Sequence, residues 1–523
     1  MMTITELQQR YAAHPNVEAM SGLLKNPSVR TLFCGGLCAS AASLFSSVLV
    51  QRGEFPFVFI LGDLEEAGYF YHDLTQVLGT DKVLFFPSSF RRAIKYGQKD
   101  AANEILRTEV LSRLQKGEEG LCVVTYPDAL AEKVVSRKEL GDKTLKLHSG
   151  ENVDTNFIME VLRSYGFEYV DYVYEPGQYA VRGSIIDVFS FSSEFPYRID
   201  FFGDEVESIR TFEVETQLSK EKKDSIVIVP DLSRSLEQGG ASGMVSFLDF
   251  LSADTVLAMR DLLWLRERIQ TVHDETLTPQ AIAAREAEES GCITLDGKLI
   301  DGSEFTLRAL DFRRMEFGNK PTGTPDATIT FDTSAQPIFR KNFDMVAESF
   351  KEYMEKGYAL YICSDSMKQT DRIRAIFEDR GDQIAFTAVE RTLHEGFADN
   401  ALRLCIFTDH QLFDRFHKYN LKSDKARSGK VALSLKELNQ FTPGDYVVHT
   451  DHGVGRFSGL VRIPNGDTTQ EVMKLVYQNE DVVFVSIHSL HKVSKYKGKD
   501  GEAPRLNKLG TGAWEKLKER TKT

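Results

Sequence analysis

The part of the sequence closest to a catalytic pattern is a loop near the N-terminus. An apolar run at residues 31–34 leads into GGLCASAAS and a helix-like stretch, which is the strand, loop and helix order of a phosphate-binding loop. In the pattern G-x-x-x-x-G-K-[ST], Gly36 and Ser43 take the first and last positions, but Ala41 replaces the second glycine and Ala42 replaces the lysine. That lysine ammonium reaches the β and γ phosphates. The loop is therefore predicted to bind no ATP and to supply no catalytic residue.

Two other chemical patterns are better explained by turns. Asp204 and Glu205 in GDEVES imitate the DExx box of an ATPase, but they fall in a predicted hairpin turn with no lysine-bearing loop elsewhere. His449, Asp451 and His452 could be proposed as metal ligands, yet a clear fourth ligand is missing from their surroundings. Turn chemistry accounts for both groups, so the sequence predicts neither a metal site nor a cofactor.

Residues 169–212 carry a pattern suited to protein docking. The segment breaks at EPGQ, FSSE and FGDE and is predicted to form an antiparallel meander. Period-two alternation puts Arg198, Asp200 and Phe202 on one side of a strand, and Arg182 on the more polar side of the preceding strand. The outer face is thus expected to carry two arginines and an aromatic residue, all pointing outward. An aromatic anchor flanked by planar guanidinium groups is typical of interface hot spots. A solvated sheet face with one stray phenylalanine is the alternative, and the pattern alone leaves both open.

A second all-β segment begins with GDYVVHTDHGVGRF at residues 444–457. Extended runs alternate with turn residues, and PNGD at residues 464–467 ends one of those runs. Four or five short strands in about fifty residues are typical of a small barrel of the Tudor or SH3-like kind. Gly453 and Gly455 are expected to supply a positive φ or a bulge at the tight return.

This second segment resembles the RNA polymerase-binding domain of the bacterial transcription-repair coupling factor (Mfd) family. In that family the module adds its edge strand to the β subunit of RNA polymerase, as the polymerase-binding protein CarD also does. The resemblance places Val461, Arg462 and Ile463 on that strand. An isoleucine just before a turn suits an exposed strand edge and β-augmentation; a buried barrel isoleucine is the alternative that the residues alone leave open.

The meander at residues 169–212 resembles the domain that the Mfd family shares with the excision-repair protein UvrB. There this face binds UvrA, and the resemblance places Arg182, Arg198 and Phe202 on the contact positions. A degenerate phosphate-binding loop in an otherwise UvrB-like first domain is also a feature of the Mfd family. It argues against UvrB itself.

Composition narrows the class of protein. A chain of 523 residues with 42% hydrophobic and 27% charged residues is expected to form three to five globular domains. Its six cysteines are scattered, which favours a reduced, cytoplasmic protein, and we find neither a signal peptide nor an eighteen-residue apolar run. A formal net charge of −13 opposes autonomous DNA binding, since such binding depends on neutralising phosphates. Protein partners are the expectation, and membrane insertion is not.

The fold class predicted is a multidomain α/β protein with an inserted antiparallel α+β domain and a C-terminal small β barrel. The expected boundaries are residues 1–148 for a UvrB-like domain 1A with the degenerate loop, 149–224 for the UvrA-binding domain 2, 225–322 for domain 1B, 323–422 for a third α/β domain, 423–437 for a linker, 438–508 for the RNA polymerase-interacting domain and 509–523 for the start of a linker helix.

The resemblance implies a non-catalytic adaptor in transcription-coupled nucleotide excision repair, corresponding to the N-terminal half of the family. Its expected partners are the RNA polymerase β subunit and UvrA. ATP and double-stranded DNA are expected to bind mainly to motor domains that follow in the family and are missing here. The alternative is an enzyme, a UvrB-like nucleotide-dependent DNA repair helicase, which would need intact Walker A and B elements.

Overall fold

The computed structural model describes residues 2–89, 101–214, 216–232, 244–276, 297–318, 320–415, 442–449, 451–465, 468–486, 493–496 and 506–509, together with residues 417, 419, 421, 504 and 514. Contacts between Cα atoms divide the chain into two compact units. The first comprises residues 1–145 and 228–421, and the second comprises residues 146–227 and 422–523. The predicted linker at residues 423–437 lies outside the described residues.

A seven-stranded parallel sheet forms the centre of the first unit, in the order β17-β1-β16-β15-β2-β4-β3. Its strands are β1 (Thr31–Gly35), β2 (Phe57–Ile60), β3 (Val83–Phe86), β4 (Cys122–Thr125), β15 (Val256–Met259), β16 (Arg313–Gly318) and β17 (Ala327–Thr330). Apolar runs such as FVFI in β2 are buried along their whole length, as expected for a parallel sheet covered on both faces. The sheet takes strands from both sides of residues 146–227, and the predicted parallel α/β arrangement is confirmed.

A second sheet of this unit has five strands in the order β18-β21-β22-β19-β20. They are β18 (Thr333–Ala335), β19 (Ala359–Ser364), β20 (Thr387–Glu390), β21 (Phe397–Asp399) and β22 (Leu404–Thr408). The apolar core against this sheet includes Phe350, Ile362, Ile373 and Phe407. The predicted α/β character of this region is confirmed.

The helices of the first unit cover these two sheets. They are α1 (Ile4–Tyr11), α2 (Pro15–Lys25), α3 (Ala41–Arg52), α4 (Leu64–Leu78), α5 (Ala101–Lys116), α6 (Pro127–Leu130), α7 (Arg137–Asp142), α9 (Leu262–Thr276), α10 (Gly302–Ala309), α11 (Phe343–Glu355), α12 (Met367–Asp379) and α13 (Asp409–Leu412). Short strands β5 (Val134–Val135) and β14 (Met244–Val245) pair with each other, and a 3-10 helix spans Phe247–Phe250. The predicted helix at residues 281–289 lies outside the described residues.

Residues 146–227 form a six-stranded sheet in the order β12-β11-β10-β9-β8-β7. Its strands are β7 (Glu168–Tyr169), β8 (Gln178–Arg182), β9 (Ile185–Val188), β10 (Tyr197–Phe202), β11 (Glu205–Phe212) and β12 (Ser219–Lys223). Helix α8 (Thr155–Ser164) packs on one face, where Arg163 Nε donates a hydrogen bond to Tyr179 Oη at 3.2 Å. Strands β6 (Leu145–His148) and β13 (Ser225–Ile228) form a separate two-stranded sheet.

The predicted meander is confirmed from β8 to β11, with one correction. The sequence predicts one uninterrupted strand over residues 178–188. The structure instead has two strands joined by a turn at Gly183 and Ser184, and Arg182 on β8 pairs with Ile185 on β9. Gly183 has a φ of 62°, a left-handed conformation that glycine adopts without steric cost. The alternating residues on both sides of the turn made two strands resemble one.

The C-terminal part of the second unit is a five-stranded antiparallel sheet in the order β26-β25-β24-β23-β27. Its strands are β23 (Tyr446–His449), β24 (Gly453–Asn465), β25 (Thr468–Val476), β26 (Val482–Ser486) and β27 (Val493–Lys495), with a 3-10 helix at Gln478–Glu480. Phe457, Met473, Leu475 and Tyr477 lie in its apolar core. The predicted strands are confirmed, and β24 continues through Pro464 and Asn465 of the predicted PNGD turn. The described residues show an open sheet order.

Candidate docking surfaces

The face of the six-stranded sheet that carries Arg198 is built by direct cross-strand pairing. Arg198 on β10 lies opposite Asp187 on β9. One row further along, Ile185 lies opposite both Arg182 and Asp200. Because side chains alternate between faces along a strand, these residues share one side with Phe202. We call this set, Arg182, Asp187, Arg198, Asp200 and Phe202, the arginine face.

A buried carboxylate lies at the centre of the arginine face. The Asp187 side chain is 0% exposed, and each of its oxygens is held by a guanidinium group. Arg198 Nε donates to Asp187 Oδ1 at 2.8 Å and Arg198 Nη2 donates to Oδ2 at 2.9 Å, while Arg182 Nη2 also donates to Oδ2. Two planar cations therefore compensate one buried anion.

Aromatic rings and a short loop cover one end of this face. The Arg198 guanidinium lies 4.4 Å from the centroid of the Phe212 ring, and that of Arg182 lies 4.9 Å from the Tyr172 ring. Val173 and Phe212 belong to a small buried cluster on this side of the sheet. Arg198 Nη1 donates in addition to the carbonyl oxygen of Gln217 at 3.1 Å. All three nitrogen positions of Arg198 are thus used within the domain.

The three predicted contact residues differ in accessibility. The Arg198 side chain is 15% exposed and that of Arg182 is 34% exposed, whereas Phe202 is 78% exposed. The expectation that all three point freely outward is met by Phe202, partly met by Arg182 and wrong for Arg198. The physical reason is Asp187, whose burial requires the guanidinium of Arg198 beside it.

Phe202 is presented at the end of β10, next to the hairpin turn at Gly203 and Asp204. Gly203 has a φ of 65°, and Phe202 pairs with Glu205 across the turn. Asp204 and Glu205 therefore lie in a hairpin, as predicted. An exposed aromatic ring beside paired arginines has the composition of a protein-docking hot spot.

The hairpin of β24 and β25 carries the second predicted surface. Val461 pairs with Val472, Arg462 with Glu471 and Ile463 with Gln470. Strand β23 pairs with β24 only from Gly453 to Arg456. Among the described residues, the backbone of residues 461–463 is therefore paired on one side only, as an edge strand requires. The side chains of Arg462 and Ile463 lie outside the described part, so the exposure of Ile463 stays a prediction.

A segment beyond the predicted strands closes the other end of this sheet. Val454 N–H donates to Asn507 Oδ1 at 2.8 Å, and Asn507 N–H donates to the Val454 carbonyl oxygen at 2.9 Å. Gly453, at a φ of 78°, allows this approach, since a Cβ atom there would lie 2.6 Å from the Asn507 side chain and 2.9 Å from Trp514. Gly455 has a different role, because a Cβ atom at that position would lie 2.9 Å from the Tyr477 ring.

The glycine loop after β1 is filled by the protein's own hydrogen bonds. Ser43 Oγ donates to Asp73 Oδ2 at 2.7 Å, and Ser40 Oγ accepts from Glu395 N–H at 2.9 Å. His394 N–H donates to Asp73 Oδ1 at 2.6 Å. Burial raises the pKa of Asp73 to about 6. A carboxyl group thus holds the hydroxyl that would face Mg²⁺ in a functional loop.

The cleft beside this loop has an acidic lining. Its volume is about 810 Å³, and six carboxylates and two cations line it, namely Asp63, Glu65, Glu66, Asp73, Asp261, Glu395, Arg260 and Lys320. Such a lining repels the phosphates of a nucleotide. Ala42 lines the same cleft and adds no compensating charge.

Four histidines of the first unit meet near α4. His417 Nε2 lies 3.2 Å from His72 Nε2, and the rings of His410 and His417 stack with centroids 4.4 Å apart. His394 stacks on Tyr69 at 3.5 Å. Burial lowers the pKa of His72, His394 and His410 to about 4. No local sequence pattern indicates this cluster, because its members come from distant segments.

Metal binding and membrane insertion find no counterpart in the described parts of the chain. No group of three or more His, Cys, Asp or Glu side chains there could hold a metal ion. His449 Nδ1 accepts a hydrogen bond from Asp451 N–H at 3.1 Å, and its ring stacks on His452. Across the same ranges, no helix is both long enough and apolar enough to span a bilayer.

The two surfaces belong to a protein of mixed α and β structure with several sheets. Residues 145–233 match the UvrB interaction domain family, and residues 441–497 match the CarD-like/TRCF RID domain family. The chain carries these two domains, and the resemblance predicted from its sequence is confirmed.

Two transcription-repair-coupling factors are similar to this chain over most of its length. It is 24% identical to the transcription-repair-coupling factor of Staphylococcus aureus (strain bovine RF122 / ET3-1) over 92% of this chain and 46% of that protein. It is 22% identical to the transcription-repair-coupling factor of Bacillus subtilis (strain 168) over 93% of this chain and 47% of that protein. The chain spans about half the length of the curated relatives it matches.

Proposed function

We propose that this chain is an adaptor in transcription-coupled nucleotide excision repair, which binds RNA polymerase through one domain and recruits UvrA through the other. The observation that carries this proposal is the presence of a UvrB interaction domain and a CarD-like/TRCF RID domain in one chain. Together they would bring a repair protein to a stalled polymerase. Both partners act on the bacterial chromosome, so the proposed location is the cytoplasm.

The proposed UvrA contact is the arginine face. Phe202 is the exposed anchor, and Arg182 beside it is one-third exposed. Arg198 donates hydrogen bonds to both oxygens of the buried Asp187 carboxylate and so stabilises the strands that carry this surface. This arrangement gives an exposed apolar anchor with cations further along the same face, which suits a partner that offers an apolar pocket and nearby carboxylates.

The proposed RNA polymerase contact is the open side of β24 at residues 461–463. A strand that is paired on one side only can add a strand of another protein through backbone hydrogen bonds. The β subunit would supply that strand. We propose in addition that the five-stranded sheet closes into the small barrel that the sequence predicts.

We propose that this chain does not hydrolyse ATP and needs no cofactor. Ala42 cannot compensate phosphate charge, and the cleft beside it has an acidic lining. Titration with a fluorescent ATP analogue should therefore show no saturable binding in the micromolar range, whereas saturation there would overturn this part of the proposal. The alternative of a UvrB-like helicase requires the lysine that Ala42 replaces. Under the adaptor proposal, double-stranded DNA binds mainly to the ATP-driven motor domains of the whole protein.

The direct test is a pull-down of the full chain with separately purified UvrA and RNA polymerase core enzyme. The expected result is capture of each partner alone and of both together, because the two surfaces lie in different domains. Phe202→Ala should lose UvrA and retain polymerase. Failure of the unmodified chain to capture either partner would overturn the proposed function.

A further inference from the structure

The arginine face continues across two more strands than the sequence suggested. Arg198 on β10 lies opposite Arg210 on β11, and Arg210 lies opposite Lys222 on β12. The row Asp187, Arg198, Arg210, Lys222 therefore runs perpendicular to four neighbouring strands. Of these four residues, only Arg198 is a contact residue predicted from the sequence.

The cations of this row differ in how much of their charge is free. Arg198 is 15% exposed, and its donors are taken by Asp187 and Gln217. Arg210 is 40% exposed and pairs through Nη2 with Asp200, whose Oδ2 also accepts from Ser208 Oγ. Lys222 is exposed and forms no ion pair within the described part of the chain. Accessible positive charge thus increases toward the β12 edge.

The row itself is positively charged. Arg198, Arg210 and Lys222 stand in it against the single carboxylate of Asp187. Arg210 also pairs with Asp200, and Glu205 lies opposite Phe202 at the far end of the same face. The row thus has a surplus of two positive charges in a chain whose formal net charge is −13. The surface is therefore complementary to an acidic partner and not to the rest of this protein.

The spacing fits one continuous contact. Lys222 lies two strands away from the β10 strand that carries Phe202, and Phe202 lies four residues along from Arg198. With about 4.8 Å between strands and about 3.3 Å per residue, Phe202 and Lys222 are roughly 16 Å apart. A standard interface extends over about 800 Å² on each partner. It covers both positions.

We propose that Arg210 and Lys222 are further specificity-determining residues of the UvrA contact, where they pair with carboxylates on the partner's surface. This inference rests on the proposed function. Phe202 supplies the apolar anchor, and the β11–β12 side supplies the accessible charge that Arg198 does not. Charges at the rim of an interface act mainly on the association rate and its salt dependence.

The test compares two substitutions on the same strand. Lys222→Glu reverses a charge on the arginine face, while Lys223→Glu makes the same change in net charge at the next residue, which pairs with buried Ile209 in the register of the opposite face. The association rate of purified UvrA with the full chain should fall about fivefold for Lys222→Glu at low salt, and the difference should shrink at 0.5 M salt. Lys223→Glu should change it less than twofold.

Arg210→Gln gives a second, independent measurement. It removes a cation without adding an anion, so the association rate should fall about threefold at low salt. Equal rates for the unmodified chain, Lys222→Glu and Arg210→Gln would overturn the inference while leaving the proposed function intact. Absence of UvrA binding by the unmodified chain would instead overturn the proposed function. Thermal melting of each variant shows whether a lower association rate is caused by unfolding. If one variant unfolds, the association rate of the other variant decides whether the inference holds.

Discussion

Arg198 holds both oxygens of the Asp187 carboxylate, and Asp187 is completely buried. The pair joins β9 to β10 in the middle of the UvrB interaction domain. Arg198 therefore contributes to stability as well as to the surface of the domain. A substitution of Arg198 is therefore expected to lower the stability of the domain as well as its affinity for a partner.

Arg198→Glu should unfold or strongly destabilise the domain. Removing one partner of a buried ion pair leaves an uncompensated charge and typically costs about 3–5 kcal/mol. Urea unfolding followed by circular dichroism should show a lower midpoint than that of the unmodified chain. Phe202→Ala is the matched control on the same strand, and an unchanged midpoint for Arg198→Glu would contradict the structural role.

Phe202→Ala should weaken UvrA binding without affecting folding. Truncation of an aromatic hot-spot residue typically costs about 2–4 kcal/mol of binding free energy, and an exposed side chain contributes little to stability. Calorimetric titration with UvrA measures the first effect, and thermal melting measures the second. Arg182→Glu should also weaken binding, with a melt intermediate between those of Phe202→Ala and Arg198→Glu. Normal UvrA affinity in Phe202→Ala would show that the contact lies elsewhere.

Ile463→Arg should abolish RNA polymerase binding and leave the C-terminal sheet folded. A long charged side chain at a pairing strand edge disturbs the register of the added strand. If Ile463 were a core residue, the unpaired guanidinium would cost several kcal/mol and the sheet would melt early. Polymerase pull-down and thermal melting, done side by side, separate the two cases. UvrA binding should persist in the same variant.

The stability of the first unit should decrease in acid because of its histidine cluster. The folded-state pKa of His72, His394 and His410 is about 4, which lies below the usual value of 6.5. Between pH 6.5 and 4 the unfolded chain binds protons at these histidines that the folded chain does not bind. The free energy of unfolding is therefore highest above pH 6.5 and decreases as the pH falls toward 4. Each unit of pKa difference corresponds to about 1.4 kcal/mol. Asp73, with its pKa raised to about 6, acts in the opposite direction as a single group.

Urea midpoints measured at pH 7.5, 6.0 and 5.0 test this dependence. His72→Gln should flatten the decrease, because it removes one of the groups that must remain neutral. His148→Gln is a suitable control, since His148 is exposed and far in sequence from the cluster. A stability that stays constant from pH 7.5 to 5.0 would contradict the burial of these imidazoles.

Local sequence patterns predicted the strands well, because the burial of a strand requires apolar residues at each buried position. Uninterrupted apolar runs such as FVFI and VLFF became buried parallel strands, and the alternation in YRIDFF placed Arg198 and Phe202 on one face. These features require only neighbouring residues. The aspartate in the apolar run IIDV at residues 185–188 was a usable signal that sequence reasoning missed, since a carboxylate among buried residues requires a partner.

Accessibility and site filling could not be predicted in the same way, because they depend on distant residues. Whether Arg198 is open depends on the Phe212 ring and on the carbonyl group of Gln217. The hydrogen bonds that fill the glycine loop come from residues 394 and 395, more than three hundred positions away. A pattern of residue types contains no measure of such long-range contacts.

The pair of hydrogen bonds between Asn507 and Val454 has a mechanical consequence. Val454 and the open edge at residues 461–463 belong to the same strand, β24. A polymerase strand added at this edge, as proposed above, would load β24 along its length, and the two hydrogen bonds at Val454 would carry part of that load to Asn507.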